Sequence, residues 1–112
     1  MKETDLDKKR QKLKPFREKI DEIDDKIVKL LGERFGVVRK VARIKAENDI
    51  PAFLPDRVRV VRERNVLTGK KYGIDADFIR MLYTMIIYQS CATEDLIKME
   101  MKEKKLKAKK KA

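Results

Sequence analysis

The chain has 112 residues, 44% of them charged and 6% aromatic, with four glycines and three prolines. That size and mix fit one domain with a modest core and favour long helices over a strand-rich fold. One cysteine and no histidine exclude an intrachain disulfide and give no support to a metal centre, a Ser-His triad or a Cys-His pair.

Residues 1–14 form a basic polar extension that can be helical or frayed. Pro15 suits the first turn of a helix, where its missing N–H has no intrahelical partner. From there to about Glu47 apolar residues recur at Phe16, Ile20, Ile23, Ile27, Leu30, Val37, Val41 and Ile44, the spacing of a long amphipathic helix. Arg34 fills the one gap in that series. A charge on a seam costs several kcal/mol, on the order of 3 to 5, unless something anionic meets it, and no carboxylate of this stretch shares the stripe near Arg34. Gly32 and Gly36 inside the run are expected to mark close helix packing, and Asn48, Asp49 and Pro51 to stop it.

The connector IPAFLP reads as an ordered, extended loop. Asp56 is expected to cap a second helix from Arg57 to about Leu67, with Val58 and Val61 inward and Thr68-Gly69 ending it. Asp75 caps a third helix whose inward stripe is Phe78 or Ile79, then Leu82, Ile86, Ser90, Glu94 and Ile97. Two polar residues thus continue an apolar stripe. Cys91 reads as a small apolar filler, and Tyr83 and Tyr88 as packing residues.

The net charge of +11 resembles a nucleic-acid signal until it is located. Residues 102–112 carry +6 and residues 1–14 carry +3, which leaves +2 for residues 15–101, the expected helical domain. The lysine-rich end reads as a solvated tail; nucleic-acid binding through it would be weak and strongly salt-dependent. No window is long enough for a membrane span, and the N-terminus lacks the apolar core of a signal peptide. The expectation is a cytoplasmic protein.

A helix from Pro15 to Glu47 is about 50 Å long, too long for two shorter helices to cover. A second copy related by a two-fold axis is the simplest cover. Lys45 follows Arg34 by 11 residues, three turns and about 16 Å along the axis, so long side chains there can converge on one small molecule. Arg17 is about 25 Å from Arg34, too far to share that ligand within one chain, but an antiparallel partner brings it alongside. Arg57, Ser90 and Glu94 can close the same pocket. Guanidinium forks suit planar carboxylates, so the expected ligand is a small dianion. The purely structural alternatives are an Arg34–Glu94 ion pair, a snorkelling Lys45, and a Ser90 hydroxyl on the carbonyl four residues back.

The stretch FREKIDEIDDKIVKLLGERFGVVRKVARIK, with PDRV and DADFIRMLYTMIIYQSCATED, resembles the all-α, AroQ-type chorismate mutases over roughly residues 15–97. The resemblance implies an intertwined dimer of three-helix protomers, without a cofactor, that converts chorismate to prephenate in aromatic amino-acid biosynthesis. It makes Arg17 of the neighbouring chain, Arg34 and Arg57 the carboxylate-binding arginines, and Lys45 the donor to the ether oxygen of the breaking bond. Ser90 falls near a substrate carboxylate, and Glu94 on the other side of the ether oxygen, where it helps only as the protonated acid. Val58 and Leu54 depart from the acidic residues that family members often carry there to recognise the ring hydroxyl. Isochorismate pyruvate lyase and 4-amino-4-deoxychorismate mutase, on the same fold, are therefore alternatives. The alternative outside enzymes is a helical dimer that binds nucleic acid or acidic partners through its basic tail.

Overall fold

The computed structural model describes residues 2–111, and its regular elements are all helices: α1 (Asp5–Gln11), α2 (Lys14–Glu47), α3 (Pro55–Lys71) and α4 (Ala76–Lys111). The all-α expectation holds, with a short helix preceding the three expected. α1 exists because Thr4 and Asp7 form a reciprocal capping box: the Asp7 N–H donates to Thr4 Oγ1 at 3.1 Å, and the Thr4 N–H donates to Asp7 Oδ2 at 3.3 Å. Two otherwise orphaned N–H groups are satisfied at once.

The chain divides into two compact units, Met1–Arg34 and Phe35–Ala112. In the first, every described residue up to Leu30 is exposed. The apolar seam is there as read, yet Phe16 is 70% exposed and Leu30 61%, so nothing within the unit covers it. The close packing expected at the two glycines is not found among the described residues. A Cβ at Gly32 would meet nothing within 4 Å, and one at Gly36 only the Arg39 guanidinium at 3.8 Å.

The second unit holds the core: Ala42 from α2, Ala52 from the connector, Val66 from α3, and Ile79 and Ile87 from α4. α2 ends after Glu47 as expected. Asp49 turns left-handed at φ 54°, the Ile50 N–H returns to the Lys45 carbonyl at 2.9 Å, and the Asn48 side chain donates to the Ile44 carbonyl at 2.7 Å. These bonds satisfy carbonyls that the last turn leaves open.

α3 differs from the sequence reading at both ends. Leu54 occupies the N-cap position without a side-chain bond, and Pro55 begins the helix, because proline's preset φ suits the first helical position. Asp56 lies inside the first turn and accepts from Arg59 at 2.9 Å. The helix then runs through Gly69 to Lys71. Gly69 is buried because α4 passes it closely, and the left-handed residue that closes the helix is Gly73, at φ 72°. The Ile74 N–H reaching the Gly69 carbonyl at 2.9 Å completes that closure.

A Cβ at Gly69 would lie 2.8 Å from Ile79 Cγ1 and 3.2 Å from Cδ1. Gly69→Ala is therefore expected to destabilise the fold by about 1 to 3 kcal/mol, read as a lower denaturant midpoint.

Asp75 caps α4 as expected, accepting from the Phe78 N–H at 3.0 Å. The inward stripe is Ile79, Ile87, Ser90 and Glu94, while Phe78 and Leu82 are exposed. Arg80 of α4 reaches Glu63 of α3 at 3.1 Å, which adds a polar tie to the packed pair. α4 continues without a break through the lysine-rich residues to Lys111.

Candidate active site

The second unit brings Lys45, near the end of α2, onto Glu94 of α4. Lys45 Nζ lies 2.9 Å from Glu94 Oε1, and the two side chains are 18% and 7% exposed. The snorkelling alternative is thereby excluded for this lysine. The same ammonium donates to the Ala52 carbonyl at 3.0 Å, so two of its three N–H bonds have protein acceptors. Glu94 can be buried because this cation meets it; either charge alone there would be costly.

Ser90 stands one turn before Glu94 and is equally buried. Its hydroxyl donates to the Ile86 carbonyl at 2.8 Å, the local geometry expected of a helical serine. To donate to a ligand it must turn away from Ile86. Arg57, in the first turn of α3, is exposed. Arg17 and Arg34 belong to the first unit, Arg17 exposed and Arg34 half-buried. The sequence-expected set is thus brought together in the second unit for Lys45, Glu94 and Ser90, while Arg57 lies on its surface.

Four residues contribute in ways that escape sequence reasoning. The Ala52 carbonyl accepts from Lys45 and also from the Cys91 thiol, at 3.7 Å. Cys91 is therefore a polar neighbour of the pair as well as a filler. Tyr88 is 59% exposed and stacks on Phe53, with ring centroids 6.4 Å apart and planes at 5°, where sequence reading expects a packing residue. A main-chain acceptor has no residue-type signature. The two prolines of IPAFLP, which mark an ordered connector, are the one available hint.

Burial pushes the Cys91 thiol above its ordinary range, with the Glu94 charge adding to the shift and Lys45 opposing it. The neutral thiol, a donor, is what the Ala52 carbonyl needs. Because the thiolate is the nucleophile, Cys91 is expected to alkylate slowly at neutral pH. Its rate should level off at a higher pH than that of a free cysteine peptide, as iodoacetamide titration would measure.

Among the described residues no group of three or more His, Cys, Asp and Glu could hold a metal ion, and no helix is long and apolar enough to cross a membrane. An all-helical chain with a lysine–glutamate pair held between two helices falls in the class that builds its polar site from facing helices. The model of the chorismate mutase type II family matches residues 16–95. The chain belongs to that family. It is 39% identical over 79 residues to a bifunctional chorismate mutase/prephenate dehydratase of Buchnera aphidicola, covering 70% of this chain and 20% of that one. It is 33% identical to a chorismate mutase of Methanocaldococcus jannaschii (75% and 85%), and 29% identical to a 4-amino-4-deoxychorismate mutase of Streptomyces venezuelae (76% and 82%). The chain spans about a fifth of the bifunctional relative.

Proposed function

We propose that the protein is a chorismate mutase that rearranges chorismate to prephenate by holding the substrate in a reactive fold. The observation that carries this reading is the buried Lys45–Glu94 pair, with Ser90 one turn away, inside the family-matched segment. In this mechanism arginines grip both carboxylates so that the enolpyruvyl arm lies over the ring, removing much of the orientational barrier. Lys45 then stabilises the negative charge that grows on the ether oxygen as its C–O bond breaks and the new C–C bond forms. No proton is transferred. The third N–H of Lys45 is the donor available for this task.

The arginines are Arg34, Arg57 and, from a second copy, Arg17. Support for the second copy is the solvent-facing seam of α2, from Phe16 to Leu30, which nothing within its unit covers. Burying it against an equivalent seam is a strong driving force at about 25 cal/mol per Å² of apolar surface. An antiparallel two-fold pairing of α2 helices gives two composite sites.

A second reading, 4-amino-4-deoxychorismate as substrate, is favoured by the half-buried Val58 and Leu54 at the start of α3 and by the Streptomyces relative. Incubating the purified protein separately with chorismate, isochorismate and 4-amino-4-deoxychorismate, with product identification, tests both. Prephenate from chorismate is the expected result. Salicylate plus pyruvate from isochorismate, or turnover of the amino compound alone, would replace the reading.

A further inference from the structure

The ammonium of Lys45 is steered by a carbonyl that belongs to no helix. Ala52 sits in the connector between α2 and α3, is itself buried, and presents its oxygen to Lys45 Nζ at 3.0 Å and to Cys91 Sγ at 3.7 Å. Lys45 has four rotatable side-chain bonds, so the position of its charge depends on fixed acceptors. Glu94 is fixed by a buried helix position. The Ala52 carbonyl depends on what fixes the connector.

The next residue, Phe53, answers that need. Its ring lies parallel to that of Tyr88, within the centroid range of an offset stack. Tyr88 stands on α4 six residues before Glu94 and three before Cys91. Both rings are largely exposed, Phe53 at 45% and Tyr88 at 59%, so they add little to the core. Their stack joins the connector to the helix that carries the other acceptor of Lys45.

We infer that the Phe53–Tyr88 stack is a positioning device for Lys45, which holds the Ala52 carbonyl, and through it the ammonium, at the place where the ether oxygen must lie. Phe53 and Tyr88 touch no reacting atom in this scheme. The inference rests on the proposed role of Lys45, and its failure is separable from the failure of that role.

The test compares Tyr88→Phe, Tyr88→Leu, Phe53→Leu and the double leucine variant, with Lys45→Ala as reference. Tyr88→Phe keeps the ring and should turn over like the parent. Each single leucine variant should lose about three- to tenfold in kcat with KM nearly unchanged. The double variant should lose no more than either single one, because both act through one stack. A second readout needs no substrate: the 15N resonance of the Lys45 ammonium, whose protons exchange slowly enough to be seen when two acceptors hold them. It should shift or broaden in both leucine variants and stay put in Tyr88→Phe. Unchanged kcat and an unchanged Lys45 resonance in Tyr88→Leu would overturn the inference while leaving Lys45 its role. Additive losses in the double variant, or a loss confined to KM, would also overturn it. Full turnover in Lys45→Ala would remove the role of Lys45 and the inference together.

Discussion

Lys45→Ala is expected to lower kcat by about 10²- to 10³-fold, the usual loss when one preorganised donor to a developing oxyanion is removed. KM should move much less, because in the proposed mechanism the arginines still hold the carboxylates. The same change strands the buried Glu94 carboxylate, and a broken buried pair typically costs about 3 to 5 kcal/mol of stability. The two effects separate with Glu94→Gln, which removes the charge but keeps the shape. Lys45→Ala/Glu94→Gln should regain much of the lost thermal stability and none of the lost rate. A double variant that recovers turnover would show that Lys45 matters for folding alone.

Subunit complementation is the second large effect. Arg17→Ala and Lys45→Ala are each expected to be nearly inactive as pure proteins. When they are unfolded together and refolded, a mixed dimer with composite sites has one site lacking both residues and one site lacking neither. With random pairing about half the dimers are mixed, so the mixture should reach about a quarter of parental activity. A mixture as inactive as its components would place Arg17 and Lys45 in the same chain's site, and full activity of Arg17→Ala by itself would place Arg17 in none.

Much of this architecture is legible in the sequence, and the illegible parts share a cause. The extent of α2 is readable because its stripe persists over many turns and its C-terminal stop is spelled by Asn48, Asp49 and Pro51. The Asp75 cap is readable because it stands just before an apolar run. Asp56 has the same appearance but lies inside the first turn, because Pro55 takes the first helical position that its ring geometry suits and leaves the cap to Leu54. Gly69 misleads because a glycine that ends a helix and a glycine that admits a neighbouring helix look alike until the neighbour, Ile79, is known.

At the site, the break in the apolar stripe of α4 points to Ser90 and Glu94. Periodicity alone does not say which cation meets Glu94, since Arg34 and Lys45 share one side of the long helix. The partner is Lys45. The Ala52 oxygen and the paired rings of Phe53 and Tyr88 depend on how a connector folds back on α4, and local sequence does not encode that path.

The first unit, whose described residues up to Leu30 are all exposed, turns concentration into an observable. A helical stretch exposed on every side is marginal in water by its own propensity, and pairing with the proposed second copy would make its order a matter of mass action. Deuterium uptake at amides 14–30 should therefore be rapid in dilute solution and slow as protein is added, while amides around Ile79 and Ile87 keep one protection level throughout. The front half of α2 would then work as a built-in gauge of how many chains have found each other.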